Sequence, residues 1–236
     1  IESDICKRNT ATLITKIKNG NSPTWLKERL EAIGARSINF IVDATNYATF
    51  DTGQPLHAFD KEKVKGSLSV RFAKAGETIE TLDGKNINLK PHHIVIADEN
   101  GPLDIAGIKG GKRAEVTNNT KEIILEAANF DSVSIRKTSI EVGIRNDASK
   151  RFENEITPYL IPKGISSFIN ILKQFNPDSK IGKINDKYKT LPQEWIVTLH
   201  HKNIENILNI KIEEKQVLDI INKLGCKNEV KHGVYY

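Results

Sequence analysis

Apolar residues recur at two spacings along this chain, and each spacing predicts its own elements. Residues 13–18 alternate apolar with polar, as a strand does. Asn21-Ser22-Pro23 then predicts a helix start, with Ser22 as N-cap and Pro23 at the first helical position. Leu26, Leu30 and Ile33 form that helix's buried stripe, and Gly34 ends it. Ser37 predicts the cap of a second helix that runs to Gly53, with Ile38, Ile41, Val42 and Thr45 on one face. Asn46 projects from its later part, and Gly53-Gln54-Pro55-Leu56-His57-Ala58-Phe59-Asp60 follows at once.

Beyond Gly66 the period falls to two, with Leu68, Val70 and Phe72 alternating against Ser69 and Arg71. Residues 78–82 and 86–89 flank Asp83-Gly84, a hairpin signal because that pair tolerates positive φ. Residues 94–97 form a continuous apolar strand, and residues 122–128 another, with Glu126 inside its apolar run. Helices are predicted over 131–142, ending at Gly143, and over 160–175, where Ile165, Phe168, Ile169 and Leu172 make the stripe. Polar residues 176–193, with two prolines, read as a linker. After it come a strand at 196–199 and helices at 204–208 and 213–224, a piece that ends before its sheet is complete. Strands and helices mix without βαβ regularity, so the class is α+β, with mixed or antiparallel sheets packed against helices. The expected division is a domain over 1–176, a linker over 177–193 and a partial, truncated small α+β domain over 194–236.

At 236 residues and 38% hydrophobic, the chain can bury a core of this size. No window approaches the roughly 18 consecutive apolar residues of a membrane span, so no membrane partner is expected. Cys6 and Cys226 sit at opposite ends without a Cys/His cluster, which argues against zinc and disulfides and fits a reducing cytoplasm. The net charge of +5 permits an anionic partner, but 30 acidic residues are interspersed, so charge alone identifies none. Methionine is absent, and the chain opens on Ile1 and closes on Val234-Tyr235-Tyr236. It reads as a fragment of a longer polypeptide.

Several residues invite chemistry. His57 is either a core histidine satisfied by a backbone carbonyl or a neutral imidazole that orients or deprotonates water. Glu126 lies between Leu125 and Ala127, so its carboxylate either faces solvent from an edge strand or is buried with something to bind. Ala106-Gly107-Ile108-Lys109-Gly110-Gly111 is a tight glycine bend, or one that lets backbone amides approach a ligand. Asn146-Asp147-Ala148-Ser149 is a helix start, or a pocket wall in which Ala148 sets what fits. Lys109, Lys112 and Arg113 belong to a solvated loop, or suit a phosphate backbone if the bend is a site. His92-His93 and His200-His201 lack acidic partners at ligand spacing and are expected at the surface, and no metal is expected.

Taken together, Val42-Asp43-Ala44-Thr45-Asn46-Tyr47, the octapeptide 53–60, Thr81-Leu82-Asp83-Gly84, the bend 106–111, Leu125-Glu126-Ala127-Ala128 and residues 146–153 carry a resemblance. The chain resembles the β subunit of bacterial phenylalanyl-tRNA synthetases, specifically its central editing domain, and residues after the linker resemble the start of the small domain that follows. The resemblance implies hydrolysis of tyrosine wrongly esterified to tRNA(Phe). A synthetic site for phenylalanine rejects an isostere that merely adds a hydroxyl by only about a hundredfold, so a second sieve is needed. It implies that Glu126 accepts the phenolic hydroxyl, that His57 lies beside the ester, and that Asn46 lines the pocket. Gly110 approaches the substrate, and Asn146 and Ala148 form the opposing wall. The implied mechanism is water attack on the ester carbonyl, with His57 positioning or deprotonating the water, or only orienting it while the terminal ribose hydroxyl moves the proton; backbone amides near Gly110 stabilise the oxyanion, and no cofactor is expected in this fragment. The resemblance also implies that ATP and Mg serve the full enzyme, an α2β2 assembly whose α subunit carries aminoacylation.

The sequence departs from the family in three places. Asn146 stands where threonine is usual, residues 153–158 lose a basic residue and a glycine, and Lys109 occupies a commonly apolar position. Two alternatives follow: a non-catalytic tRNA-docking and subunit-assembly module, or a freestanding editing protein.

Overall fold

The alternation at 13–18 is the end of a longer strand. In the computed structural model, which describes residues 5–188 and 196–236, β1 spans Cys6–Thr15. Helices α1 (Thr24–Ala32) and α2 (Phe40–Thr52) follow. Six short strands come next: β2 (Leu56–Asp60), β3 (Ser69–Phe72), β4 (Thr78–Glu80), β5 (Asn86–Asn88), β6 (Ile94–Asp98) and β7 (Gly101–Ile105). Then come β8 (Lys109–Gly110), β9 (Ile123–Phe130), α3 (Ser132–Val142), α4 (Asp147–Phe152), α5 (Leu160–Phe175) and β10 (Lys180–Tyr188).

Helix starts differ from expectation for a tertiary reason. Pro23 occupies the N-cap of α1 with no side-chain cap, and Asn39 rather than Ser37 caps α2 by accepting from the Val42 amide. The hydroxyls of Ser22 and Ser37 instead both donate to Asp43 Oδ2 at 2.5 Å, while the Ile38 amide donates to Oδ1. Asp43 is fully buried. A buried carboxylate without donors costs far more than an uncapped helix end, so it captures both serines.

Strands β1 to β10 form two four-stranded sheets and a two-stranded hairpin. One is antiparallel in the order β10-β1-β9-β2, the other runs β3-β6-β7-β8, and β4-β5 is the hairpin expected around Asp83-Gly84. Along β9 the side chains alternate between two cores. Ile123, Leu125 and Ala127 join Leu30, Ile41, Ile161 and Phe168 beneath α1, α2 and α5. On the opposite face, Ala128 and Phe130 pack with Val95, Leu103 and Ile105 of the second sheet. Glu126 belongs by alternation to this second face, between the sheets. The class is α+β, as expected.

The segment expected to link two domains departs most. Residues 180–188 of the predicted 177–193 linker are β10, an edge strand paired along β1 from Arg8↔Tyr188 to Thr15↔Lys180. Nearly all of its positions are exposed, so it has no buried face to print a period-two pattern. Residues 189–193 lie outside the described residues.

The chain divides into two compact units, Ile1–Leu191 and Pro192–Tyr236. In the second unit β11 (Leu199–His200) leads into α6 (His201–Leu208), then α7 (Glu214–Lys223), β12 (Val230–Lys231) and β13 (Val234–Tyr235). These strands form a sheet in the order β11-β13-β12, so the sheet expected to stay incomplete has three short strands. His201, expected at the surface, is half-buried and hydrogen-bonds through Nδ1 to the Tyr235 hydroxyl at 2.6 Å.

Candidate functional site

Strand register brings distant residues face to face. On the first sheet, Glu126 is the cross-strand partner of His57 on one side and of Ala11 on the other. On the second, Asp104 pairs with Ile96 and with Gly110. Partners in a row share a face, and both rows contribute to one cavity of about 570 Å³ between the sheets. Asn46, His57, Gly110, Glu126, Asn146 and Ala148 all line it.

His57 is only partly covered, with 30% of its side chain exposed. Burial nonetheless holds its pKa down to about 4, so the imidazole is neutral at physiological pH. Its ring packs edge-on to Phe59 at 4.6 Å between centroids. Its Nε2 lies 3.7 Å from Asp104 Oδ2, too far for a direct hydrogen bond. At the same corner the ring abuts Gly110, the strand partner of Asp104, where an added Cβ would come within 2.7 Å of His57 Cε1 and 3.2 Å of Nε2. That close approach explains why the position takes glycine. Gly110→Ala is expected to displace the ring and lower any His57-dependent turnover by about tenfold, the order expected when a catalytic geometry slips by a fraction of an ångström. A comparison of initial rates tests it, and an unchanged rate would separate the bend from the histidine.

Glu126 is 5% exposed. Its Oε1 accepts from Asn9 Nδ2 at 3.0 Å, which leaves Oε2 for the cavity. Burial, reinforced by the nearby Asp104, pushes its pKa well above the usual carboxylate range, with the Asn9 bond opposing the rise. In its protonated form, which burial favours, the acid can both donate and accept.

The opposing wall is built for rigidity. Asn146 caps α4 in a reciprocal box with Ser149, and its Nδ2 donates to the Ile108 carbonyl at 2.5 Å. Residues 146–149 are a helix start, and Asn146 and Ala148 line the cavity from it. The side-chain amide N–H of Asn146 is thus spent on fixing the glycine bend. Ala148, on the same helix, packs against the core between the sheets. Asn46 reaches the cavity from α2, half-buried.

Two site residues escaped the sequence reading. Asn9 gave no local signal, since only the β1–β9 pairing brings it to Glu126. Asp104 did give one: an acid between Leu103 and Ile105, the same pattern that singled out Glu126. It is 5% exposed, and burial pushes its pKa up to about 8.

The basic residues around the bend are engaged by acids. Lys109 lies 3.8 Å from Asp83, Lys112 3.0 Å from Glu80, and Arg113 2.7 Å from Asp98. The pair His92-His93 also differs from expectation. His93 is 1% exposed, and both rings reach Glu141 Oε2 at 3.0 Å, a carboxylate supplied by α3. The Lys90 ammonium sits on the same oxygen at 3.0 Å. His93 Nδ1 accepts from the Lys90 amide, which makes Nε2 the protonated nitrogen of the neutral ring. A cation and a donor already fill the point where a metal would bind, so this cluster is a hydrogen-bond knot that ties the 90–93 turn to α3.

A family model described as "B3/4 domain" matches residues 5–177. The chain is 51% identical over 223 residues to the phenylalanine–tRNA ligase β subunit of Protochlamydia amoebophila, covering 94% of this chain and 28% of that protein. It is 38% identical over 225 residues to the same subunit of Carboxydothermus hydrogenoformans, covering 95% and 28%. For Brucella suis the figures are 47% over 222 residues, covering 93% and 27%. The chain thus spans less than a third of the length of these relatives. A solved N-terminal fragment of the phenylalanyl-tRNA synthetase β-subunit from Pyrococcus horikoshii aligns over 99% of this chain and 65% of that one, with a TM-score of 0.46 and 10% identity.

Proposed function

Because the chain belongs to the B3/4 domain family, we propose that it is the editing part of a phenylalanine–tRNA ligase β subunit and hydrolyses tyrosine mis-esterified to tRNA(Phe). One observation carries this reading: a buried acid and a neutral imidazole, cross-strand partners from distant parts of the chain, line a single cavity large enough for an amino acid side chain. Glu126 Oε2 pairs with the phenolic hydroxyl, and phenylalanine leaves that buried group without a partner. His57, neutral and exposed to the cavity, orients water toward the ester carbonyl. The Gly111 amide is committed to the Leu103 carbonyl at 2.8 Å, so oxyanion contacts from the bend fall to Gly110.

A more open groove of about 700 Å³ lies on the same sheet face, lined by Asn9, Lys61, Lys183, Lys187 and Tyr188. None of its three lysines makes an ion pair among the described residues, so they are free to meet phosphates. ATP-dependent aminoacylation, Mg and the α subunit belong to the rest of an α2β2 enzyme in the cytoplasm. Among the described residues, no helix is long and apolar enough to cross a membrane.

The test is release of amino acid from tyrosyl-tRNA(Phe) and phenylalanyl-tRNA(Phe) by the 236-residue chain. The reading requires faster release of tyrosine than of phenylalanine. Release of both at the buffer rate, with binding of tRNA retained, would leave a docking module instead.

A further inference from the structure

Hydrolysis requires a group that takes a proton from water, and His57 is poorly matched to that task. General bases act best when their pKa lies near the working pH, and burial holds His57 near 4. Asp104 lines the same cavity with no role assigned. It is 5% exposed, and its Oδ1 has no hydrogen-bond partner. Burying an acid with an idle oxygen costs stability, and its strand partners Ile96 and Gly110 offer no side-chain donor in return. Its other oxygen stands 3.7 Å from His57 Nε2. That gap excludes a direct hydrogen bond, yet one water can touch both groups.

We propose that Asp104 is the general base of the ester hydrolysis, holding the attacking water together with His57. The inference rests on the hydrolytic reading above. The Asp104 carboxylate takes one proton from water as the water oxygen bonds to the ester carbonyl carbon, and the carbonyl π pair moves onto its oxygen. Collapse of that intermediate breaks the bond to the ribose oxygen, which takes the proton back from Asp104. The products are free tyrosine and a ribose hydroxyl on the tRNA, and the carboxylate is restored. His57, a donor or acceptor according to tautomer, fixes the direction of the water.

This assignment dictates a pH profile. Burial pushes Asp104 up to about 8, so its reactive carboxylate form grows as pH rises toward that value. The other charged or titratable side chains on the cavity wall are His57, Glu126, Arg36, Lys109 and Glu115. Glu126 is also raised by burial, so its variant serves as the control.

The experiment measures single-turnover release from tyrosyl-tRNA(Phe) by the full chain between pH 6 and 9, after subtraction of the buffer blank. Wild type is expected to gain about tenfold in rate per pH unit below 8 and then level off. Asp104→Asn should be about a hundredfold slower at pH 7.5 with a flat profile, and its melting temperature should not fall, because a neutral isostere replaces an acid that burial penalises when charged. His57→Ala and Glu126→Gln should keep the slope. Asp104→Ser provides a second removal should the asparagine variant misfold. An Asp104→Asn chain with wild-type slope overturns the proposal. So does loss of slope in His57→Ala, or a fall in melting temperature in both Asp104 variants that accounts for their lost rate. Wild-type release equal to the blank overturns the hydrolytic reading together with this one, whereas an active wild type with an indifferent Asp104 overturns this one alone.

Discussion

His57→Ala slows tyrosine release from tyrosyl-tRNA(Phe) by about a hundredfold, the order lost when a reacting group is misplaced by about an ångström. The magnitude follows from what the ring touches. Its Nε2 faces Asp104 across a gap that fits one water, and Gly110 closes against the adjoining Cε1. Removing it leaves the water with one anchor instead of two. Stability should change little, because the ring is 30% exposed and its main packing contact is the edge of Phe59. Such a truncation typically costs about 1 kcal/mol, which a thermal melt resolves. The sign of the pH effect is also fixed. Burial lowers the folded pKa from 6.5 to about 4, so the folded state binds fewer protons than the unfolded chain between those values. His57 therefore penalises the fold as pH falls through that window, and its catalytic form persists down to about 4. A wild-type activity limb near 6.5 that vanishes in His57→Ala would place the ring in water rather than in the cavity.

Elements with a buried face announced themselves in the sequence. Residues 160–175 carry a 3.6-residue stripe and form α5 over Leu160–Phe175. Asp83-Gly84 turns the β4-β5 hairpin with Gly84 at positive φ. Features that depend on a partner from elsewhere in the chain were not legible. Strand β10 is held by backbone pairing to β1 and shows no alternation. Ser22 and Ser37 look like helix caps until Asp43 draws both away. The histidine pair 92–93 gains its carboxylate from Glu141, 48 residues beyond His93.

The candidate site divides along the same line. His57 and Glu126 each stood out as a polar group in an apolar run, and the β2–β9 register makes them neighbours. Asp104 carries the same mark, an acid between Leu103 and Ile105, and only the β7–β8 pairing sets it beside the glycine bend. Asn146 looked like a change in pocket chemistry. In the fold its amide serves α4 and the Ile108 carbonyl, so the substitution braces the bend.

Glu126→Ala should reduce the preference for tyrosyl over phenylalanyl esters by about ten- to a hundredfold, the worth of about 1–3 kcal/mol of a buried hydrogen-bonding group left unpaired. Two effects act in the same direction. The tyrosyl ester loses its partner at Oε2, while the phenylalanyl ester no longer strands a buried acid, so discrimination falls from both sides. Asn9 Nδ2 also loses its acceptor, which offsets part of any gain in stability. Glu126→Gln separates these terms: the amide oxygen keeps the Asn9 bond, the amide nitrogen still meets the phenol as a donor, and most of the preference should survive. The linkage follows from the raised pKa. The folded state holds a proton that the unfolded chain releases from about 4.5 upward, so stability attributable to Glu126 declines as pH rises from that value toward its folded pKa. Glu126→Gln should remove that decline, read as a flatter melting temperature against pH. If Glu126→Ala left the ratio of the two release rates unchanged, the phenol would have to be recognised elsewhere, and the alignment of β2 with β9 would lose its functional meaning.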